Sequence, residues 1–549
     1  MKHIFLCTAI FFSCTVHACP PQAKTPHDTR LVVGIVVDQM RYDYLSRFSS
    51  KFGNGGFKRL LGEGFLCRNA NYSYVPTYTA PGHACVYTGA PPSLNGIVSN
   101  DWFDRKAGSI EYCVRDTSVQ LVGTATGTGM SPRLLLSTTV TDELRQASGY
   151  KSKVIGIALK DRGAILPAGH LANAAYWHDA ATGNWISSTW YMKELPAWVK
   201  NYNDKKRARA LLGAAWQTLL PVSQYTEATP DSNRYEGLYA GETKPVFPHN
   251  LPAIRDKDPD LIRKTPFGNT FTKELAIEAI RGENLGKGEA TDFLAVSFSS
   301  TDYVGHMFGT RSIELEDTYL RLDKEIEELL NFLDSWAGKG RYLVFLTADH
   351  GAAENALYCN DEKLPGGNIQ FKPLTDSLEI LLENKFGPGR YILNSDAAGF
   401  YLDRNLVASK NLSLEDVRRF CASFASSFPQ VAMAITAGEL ETGACRKGVA
   451  SFVQRGFYPP RSQDVCIVLQ PGWMEWFAPT GTTHGSPYAY DTHVPLIFFG
   501  AGITHGDTSD EVDICDIAPT IADLLGIPFP TAATGKPLYL PGHSSVHVK

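Results

Sequence analysis

The chain has 549 residues, 44% of them hydrophobic and 20% charged, with a formal net charge of -5. Those proportions belong to a folded globular protein able to bury a large core without cross-links, and they exclude a fibrous or disordered chain. A mildly acidic balance without basic tracts excludes nucleic acid as an expected partner, nucleotide substrates apart.

At the N-terminus, Lys2 and His3 precede an apolar stretch from Ile4 to Val16, followed by the small-residue pattern Val16-His17-Ala18. The stretch is too short to cross a bilayer, and Pro20-Pro21 end any helix, so it reads as a signal peptide over 1–18. A periplasmic or secreted protein is therefore expected, without a transmembrane segment. Cys19 follows Ala18 where a lipidated cysteine would lie, but His17 makes a poor lipoprotein signal, and lipid anchoring is the second choice. Setting aside Cys7 and Cys14 in the leader and Cys19 beside it leaves eight cysteines: Cys67, Cys85, Cys113, Cys359, Cys421, Cys445, Cys466 and Cys515. None has CxxC spacing, which argues against a thiolate zinc cluster. Disulfides are permitted, but the spacing does not decide their pairing.

Leu31–Val37 is a continuous apolar, β-branched run ending in Asp38, the pattern of a strand buried on both faces of a parallel sheet. Similar runs follow: Lys153–Leu159 ends in Lys160, Asp292–Phe298 leads to Asp302, Tyr342–Thr347 leads to Asp349-His350, and Val494–Phe499 closes at Gly500. Helical spacing runs between them, most clearly over Ile313–Trp336, stopped by Gly338. The alternation predicts an α/β fold with a doubly wound, mostly parallel central sheet and helices on both faces. Residues 30–549 are expected to form one domain, with insertions at about 163–290 and 353–481. Neither insertion is flanked by a linker-like tract.

In such sheets ligands bind beyond the carboxyl ends of the strands, where these runs deliver Asp38, Lys160, Asp302 and Asp349-His350. His306 lies four residues after Asp302, so one metal could take both from a single helix face. His484 sits in the polar loop Thr482-Thr483-His484-Gly485. With Asp38 these groups suffice for two three-ligand metal sites with open positions. Singly each is a weak signal, an aspartate at a strand end being commonly a helix cap. Thr79, just before Ala80-Pro81-Gly82, reads as a helix start, where free backbone N–H groups favour an anion.

Thr79 in Tyr78-Thr79-Ala80-Pro81-Gly82-His83, Asn100 in Ser99-Asn100-Asp101-Trp102, Lys160-Asp161-Arg162, Asp302 with His306, Asp349-His350 and His484 together resemble the alkaline phosphatase superfamily. Within it they resemble the broad-specificity, phosphate-irrepressible bacterial alkaline phosphatases with a threonine nucleophile. Asp516-Ile517-Ala518-Pro519-Thr520 through Pro528 is similar to the superfamily's C-terminal ending, so the resemblance runs from about residue 30 to the end. It implies two zinc ions per chain, one held by Asp302, His306 and His484, the other by Asp38, Asp349, His350 and the Thr79 oxygen. It also implies hydrolysis of small phosphate monoesters through a phosphothreonine on Thr79, with Asn100, Lys160 and Arg162 on the phosphoryl oxygens, by an enzyme expected to be a monomer. Sulfatases are set aside, because Thr79 stands where they carry Cys or Ser in a Cys-x-Pro-x-Arg context. Nucleotide pyrophosphatase/phosphodiesterases share the threonine and the metal set and are the alternative, although they generally lack the Lys-x-Arg pair.

Overall fold

Every residue of Leu31–Val37 is buried, as a strand flanked by strands and covered on both faces requires. The computed structural model describes residues 29–541; the expected leader and Cys19 lie outside the described residues. Ten strands form the central sheet: β1 (Leu31–Val37), β2 (Phe65–Asn71), β3 (Leu121–Val122), β4 (Val154–Ala158), β5 (Ala174–Asp179), β6 (Asn184–Ser188), β7 (Asp292–Phe298), β8 (Tyr342–Thr347), β9 (His493–Gly500) and β10 (Gly506–Asp513). Their spatial order is β10-β2-β9-β8-β1-β7-β4-β5-β6-β3. The centre is parallel: Leu31 of β1 pairs with Tyr342 of β8 and Asp292 of β7, and β4 pairs parallel with β7 and β5. One sheet edge therefore collects the carboxyl ends of β1, β4, β7 and β8, and with them Asp38, Lys160, Asp302 and Asp349-His350.

Two findings differ from the sequence reading. The run 493–500 is antiparallel, with Leu343 opposite Gly500, so Gly500 lies at the edge away from the site. The segment entering β9, which carries His484, reaches the site instead. An apolar run looks the same in either direction, and only the connection sets its sense. The stretch 163–290 also does not lie wholly outside the sheet, because β5 and β6 extend its edge.

Six helices matter for the site or its support: α1 (Thr79–Thr88), α2 (Asp161–Ala168), α3 (Phe267–Glu283), α4 (Ser300–Phe308), α5 (Ile313–Trp336) and α6 (Ile517–Leu525). The Ser312 side chain caps α5 by accepting from Leu315 N–H, and Leu315, Leu322, Ile326, Leu329, Leu330 and Leu333 form its buried stripe. Each such side chain contributes about 1.5–3 kcal/mol on burial, so the stripe holds α5 to the sheet. Within 353–481 a separate four-stranded sheet (Ile392–Asp396, Gly399–Leu402, Val431–Thr436, Val465–Leu469) packs around its own apolar cluster, including Leu378, Phe400 and Val417.

Candidate active site and metal centre

The carboxyl ends of β1, β7 and β8 carry three aspartates into the interior, where Asp38 and Asp349 are 0% and Asp302 is 2% exposed. α4 begins just after β7 and sets Asp302 and His306 one turn apart, with His306 Nε2 3.1 Å from Asp302 Oδ1. His484 Nε2 lies 3.7 Å from the same oxygen. Its loop is shaped by Asp491, whose Oδ2 accepts from the backbone N–H groups of Gly485 (3.0 Å) and Ser486 (2.7 Å). Gly481, at φ 71°, lets that loop pass, since a Cβ there would stand 1.9 Å from His306 O.

The three imidazoles share one arrangement. Nδ1 of His306 bonds Thr482 O at 2.7 Å, Nδ1 of His484 bonds Thr77 O at 2.7 Å, and Nδ1 of His350 bonds Gly351 O at 2.9 Å. A carbonyl can only accept, so each Nδ1 carries a proton and each Nε2 faces the carboxylates, the orientation a metal ligand needs. On His306 burial is outweighed by the neighbouring Asp302, which raises the imidazole above its ordinary value, so a cation there displaces a proton from Nε2. Two groups of three donors have ligand atoms within 4.8 Å of one another: Asp302, His306 and His484, and Asp38, Asp302 and His350. The first is the expected trio. In the second, Asp302 stands where Asp349 was expected, while Asp349 Oδ2 lies 3.5 Å from His350 Nε2. The cause is Lys160, whose Nζ sits 2.7 Å from Asp38 Oδ2 and 2.6 Å from Asp302 Oδ2, drawing the two carboxylates together. The Asp38 contact is an ion pair without hydrogen-bond geometry, so both Asp38 oxygens, like Asp349 Oδ2, are buried without a hydrogen-bond donor. Orphaned carboxylate oxygens facing imidazole Nε2 atoms in one buried cluster are the donor set of a cation.

Thr79 opens α1 beside these groups and is 1% exposed. Its Oγ1 is 3.4 Å from His350 Nε2 and 3.3 Å from Lys160 Nζ. His83 holds this turn: Nδ1 bonds Thr79 O at 2.9 Å and Nε2 meets Ser297 Oγ of β7 at 3.0 Å. Asn100 Oδ1 accepts from Ala80 N–H at 2.9 Å, which leaves its amide NH2 as a donor at the helix start. Arg162 at the start of α2 donates from Nη1 to Tyr112 OH at 3.1 Å, and its Nε is buried without a partner.

The charges are tensioned against burial. Burial pushes the Asp38 carboxyl up to about 6 despite Lys160. Asp349 is raised well above the ordinary carboxyl range by burial and by Asp38. Burial acts on Asp302 in the same direction, but His306 and Lys160 outweigh it and hold that carboxyl well below its ordinary value. Burial drives His484 down to about 3 and His350 well below the ordinary imidazole value, keeping both neutral.

Residues 32–487 match the family described as type I phosphodiesterase / nucleotide pyrophosphatase. The chain is 44% identical over 512 residues to the alkaline phosphatase PafA of Elizabethkingia meningoseptica, covering 93% of this chain and 94% of that protein. The chain belongs to the alkaline phosphatase superfamily. It is also 43% identical over 549 residues to the alkaline phosphatase PhoV of Synechococcus elongatus, covering 98% and 99% of the two chains. The crystal structure of wild-type PafA superposes with a TM-score of 0.90 at 44% identity, over 93% of this chain and 98% of that one.

Several neighbours of the site escaped the sequence reading. Gln39, at φ 65°, donates from Nε2 to Asp302 Oδ1 at 2.7 Å and from its backbone N–H to Asp349 Oδ1 at 3.1 Å. Trp476 stacks on His306, with ring centroids 5.2 Å apart, and the Tyr303 ring lies 5.2 Å from Lys160 Nζ. Tyr303 was within reach of a helical wheel through Asp302 and His306; Gln39 and Trp476 carried no local signal. A cavity of about 130 Å³ opens between Tyr78, Ser99 and His484 on the site side and Ile467, Leu469 and Met474 of the insertion. Among the described residues no helix is long and apolar enough to cross a membrane.

Proposed function

We propose that this protein is an alkaline phosphatase that hydrolyses small phosphate monoesters through a covalent phosphothreonine on Thr79. The observation that carries the reading is the cluster of the His306, His350 and His484 Nε2 atoms with the buried carboxylates of Asp38, Asp302 and Asp349, beside the Thr79 hydroxyl at His350 and Lys160. The residues fit two divalent ions, one held by Asp302, His306 and His484, the other by Asp38, Asp349, His350 and the Thr79 oxygen. A mixed imidazole–carboxylate set favours zinc over calcium or magnesium. Once bound, such ions supply the positive charge that lets a threonine oxygen act as a nucleophile and a leaving alkoxide depart at moderate pH.

The chain's own groups do the rest. The Lys160 ammonium, 3.3 Å from Thr79 Oγ1, stabilises negative charge on that oxygen. Attack forms the Thr79 Oγ–phosphorus bond and breaks the bond from phosphorus to the ester oxygen, releasing the alcohol. Water then cleaves the phosphothreonine to give inorganic phosphate. The Asn100 amide, the Lys160 ammonium, the Arg162 fork and the start of α1 hold the non-bridging oxygens. The neighbouring cavity takes the organic part of the ester. The two relatives named alkaline phosphatases, alike over nearly the whole chain, support this reading over a phosphodiesterase. The leader read from the sequence over 1–18 supports export out of the cytoplasm.

Prolonged chelation should abolish turnover of an aryl phosphate and zinc should restore it. Thr79→Ala should lower turnover by orders of magnitude with metal content near wild type, and Thr79→Ser should keep part of the activity. Full activity in metal-free protein, or a phosphorylated residue other than Thr79 after acid trapping, would overturn the proposal.

A further inference from the structure

Eight cysteines lie among the described residues, and two of their sulfurs meet: Cys85 Sγ and Cys515 Sγ are 3.0 Å apart. Both residues are 0% exposed. No other pair of described cysteines makes a sulfur–sulfur contact, so the pairing that spacing could not decide is decided by the fold.

The two sulfurs are also held from rigid backbone. Cys85 lies inside α1, the helix that opens with Thr79. Cys515 is in the turn Ile514–Asp516, fixed by a capping box in which the Asp513 side chain accepts from Cys515 N–H at 3.0 Å. The two backbones are in close register at the end of α1. A Cβ on Gly89, the residue that ends the helix, would meet Cys515 O at 3.1 Å and Pro519 Cδ at 2.8 Å. The Gly89 carbonyl in turn accepts from Thr534 N–H at 2.8 Å. A disulfide bond is about 2.05 Å long, and the two sulfurs, 3.0 Å apart on neighbouring backbone segments, are about 1 Å from that separation.

We infer that Cys85 and Cys515 form a disulfide that ties the nucleophile helix to the C-terminal segment. The bond is made by thiol–disulfide exchange with an organic disulfide outside the reducing cytoplasm. One cysteine thiolate attacks the organic disulfide and expels one thiol, giving a mixed disulfide. The second thiolate displaces the other thiol, so two cysteine thiols and one organic disulfide become one protein disulfide and two free thiols. Because neither sulfur is accessible in the folded chain, the exchange takes place during folding, before the 514–516 turn closes on α1. The bond joins residues 430 apart in sequence, a loop whose closure strongly restricts the unfolded chain. It also fixes the far end of the helix whose first residue is Thr79, and so supports the position of that hydroxyl. The other six described cysteines stay as thiols.

The test uses full-length protein recovered from the cell envelope or medium, denatured in an alkylating reagent without reductant, digested and mapped by mass spectrometry. The expected result is one cross-linked species joining the peptides of Cys85 and Cys515, lighter than their sum by two hydrogens, with alkylation at the other six. Alkylation of both Cys85 and Cys515 would overturn the inference. A second measurement compares thermal unfolding with and without reductant. Wild type should lose several degrees in reductant, and the double variant Cys85→Ala/Cys515→Ala should be insensitive to it. A wild-type midpoint unmoved by reductant that has reduced every cysteine would equally contradict the bond.

Discussion

Gln39 shows how much of the site rests on a residue with no chemistry of its own. It is held in a left-handed conformation that favours glycine, and from there it donates to Asp302 and Asp349 at once. Removing the side-chain donor in Gln39→Leu should weaken metal binding by about 10–100-fold, the usual cost of losing an outer partner of a ligand. Competition against a chromophoric chelator measures this directly, and unchanged affinity would show that Asp302 orients itself. Asp38, Lys160, Asp302 and Asp349-His350 were legible because each follows an apolar run whose end needs no tertiary knowledge. Gln39 and Trp476 were not, since one acts through an uncommon backbone conformation and the other reaches His306 only through the folded insertion. The Asp38–Lys160–Asp302 bridge was equally hidden, because no spacing rule reports which of three neighbouring carboxylates a buried ammonium will join.

At the scale of elements, the contact between α1 and the end of β8 sets the distance from Thr79 to the metal ligands. Gly82 in the first turn of α1 faces the Asp349 backbone, and a Cβ there would stand 2.3 Å from Asp349 O. Gly82→Ala must therefore push helix and strand end apart, a shift that costs about 1–3 kcal/mol of stability. A displacement of about 1 Å at the reacting atoms is enough for a loss on the order of 10² in kcat/KM. Gly62→Ala is the control: nothing lies within 4 Å of its Cβ, and it should be neutral or stabilising by about 0.4–1 kcal/mol with normal activity. Steady-state kinetics and thermal unfolding of the two variants test the contrast, and normal kcat/KM in Gly82→Ala would refute it. The start of α1 at Thr79 was readable from the Pro-Gly signal that follows. The sense of β9 was not, because burial pattern carries no direction.

For the molecule as a whole, metal binding and proton binding compete. In the metal-free protein burial raises the Asp38 carboxyl from 3.8 to about 6. The folded state then prefers that proton, a contribution to stability present below about pH 4 and lost as pH rises through 6. A cation must displace the proton, so the gain in melting temperature on adding zinc should be small near pH 5 and grow toward pH 8. Asp349, raised by burial and by Asp38, and His306, raised by Asp302 against burial, give up protons in the same way and add to this dependence, whereas His484 and His350 are already neutral across that window. Scanning calorimetry at several pH values checks this; a zinc-induced shift that is flat with pH would argue against an Asp38 ligand. The family matched over 32–487 is described by phosphodiesterases, while PafA and PhoV, alike over nearly the whole chain, are named alkaline phosphatases, so substrate charge is the central question. A monoester dianion offers one more charged oxygen than a diester, and Lys160 and Arg162 are the cations placed to meet it. Hydrogen bonds to charged groups contribute about 1.5–3 kcal/mol each, together roughly 3–6 kcal/mol. At about 1.4 kcal/mol per tenfold this is a preference on the order of 10²–10⁴. The deciding measurement is kcat/KM of the zinc-loaded protein for an aryl phosphate monoester and for the matching methyl diester. The account predicts that the monoester is faster by that factor and that Lys160→Ala with Arg162→Ala removes most of the difference; equal rates, or a faster diester, would contradict it.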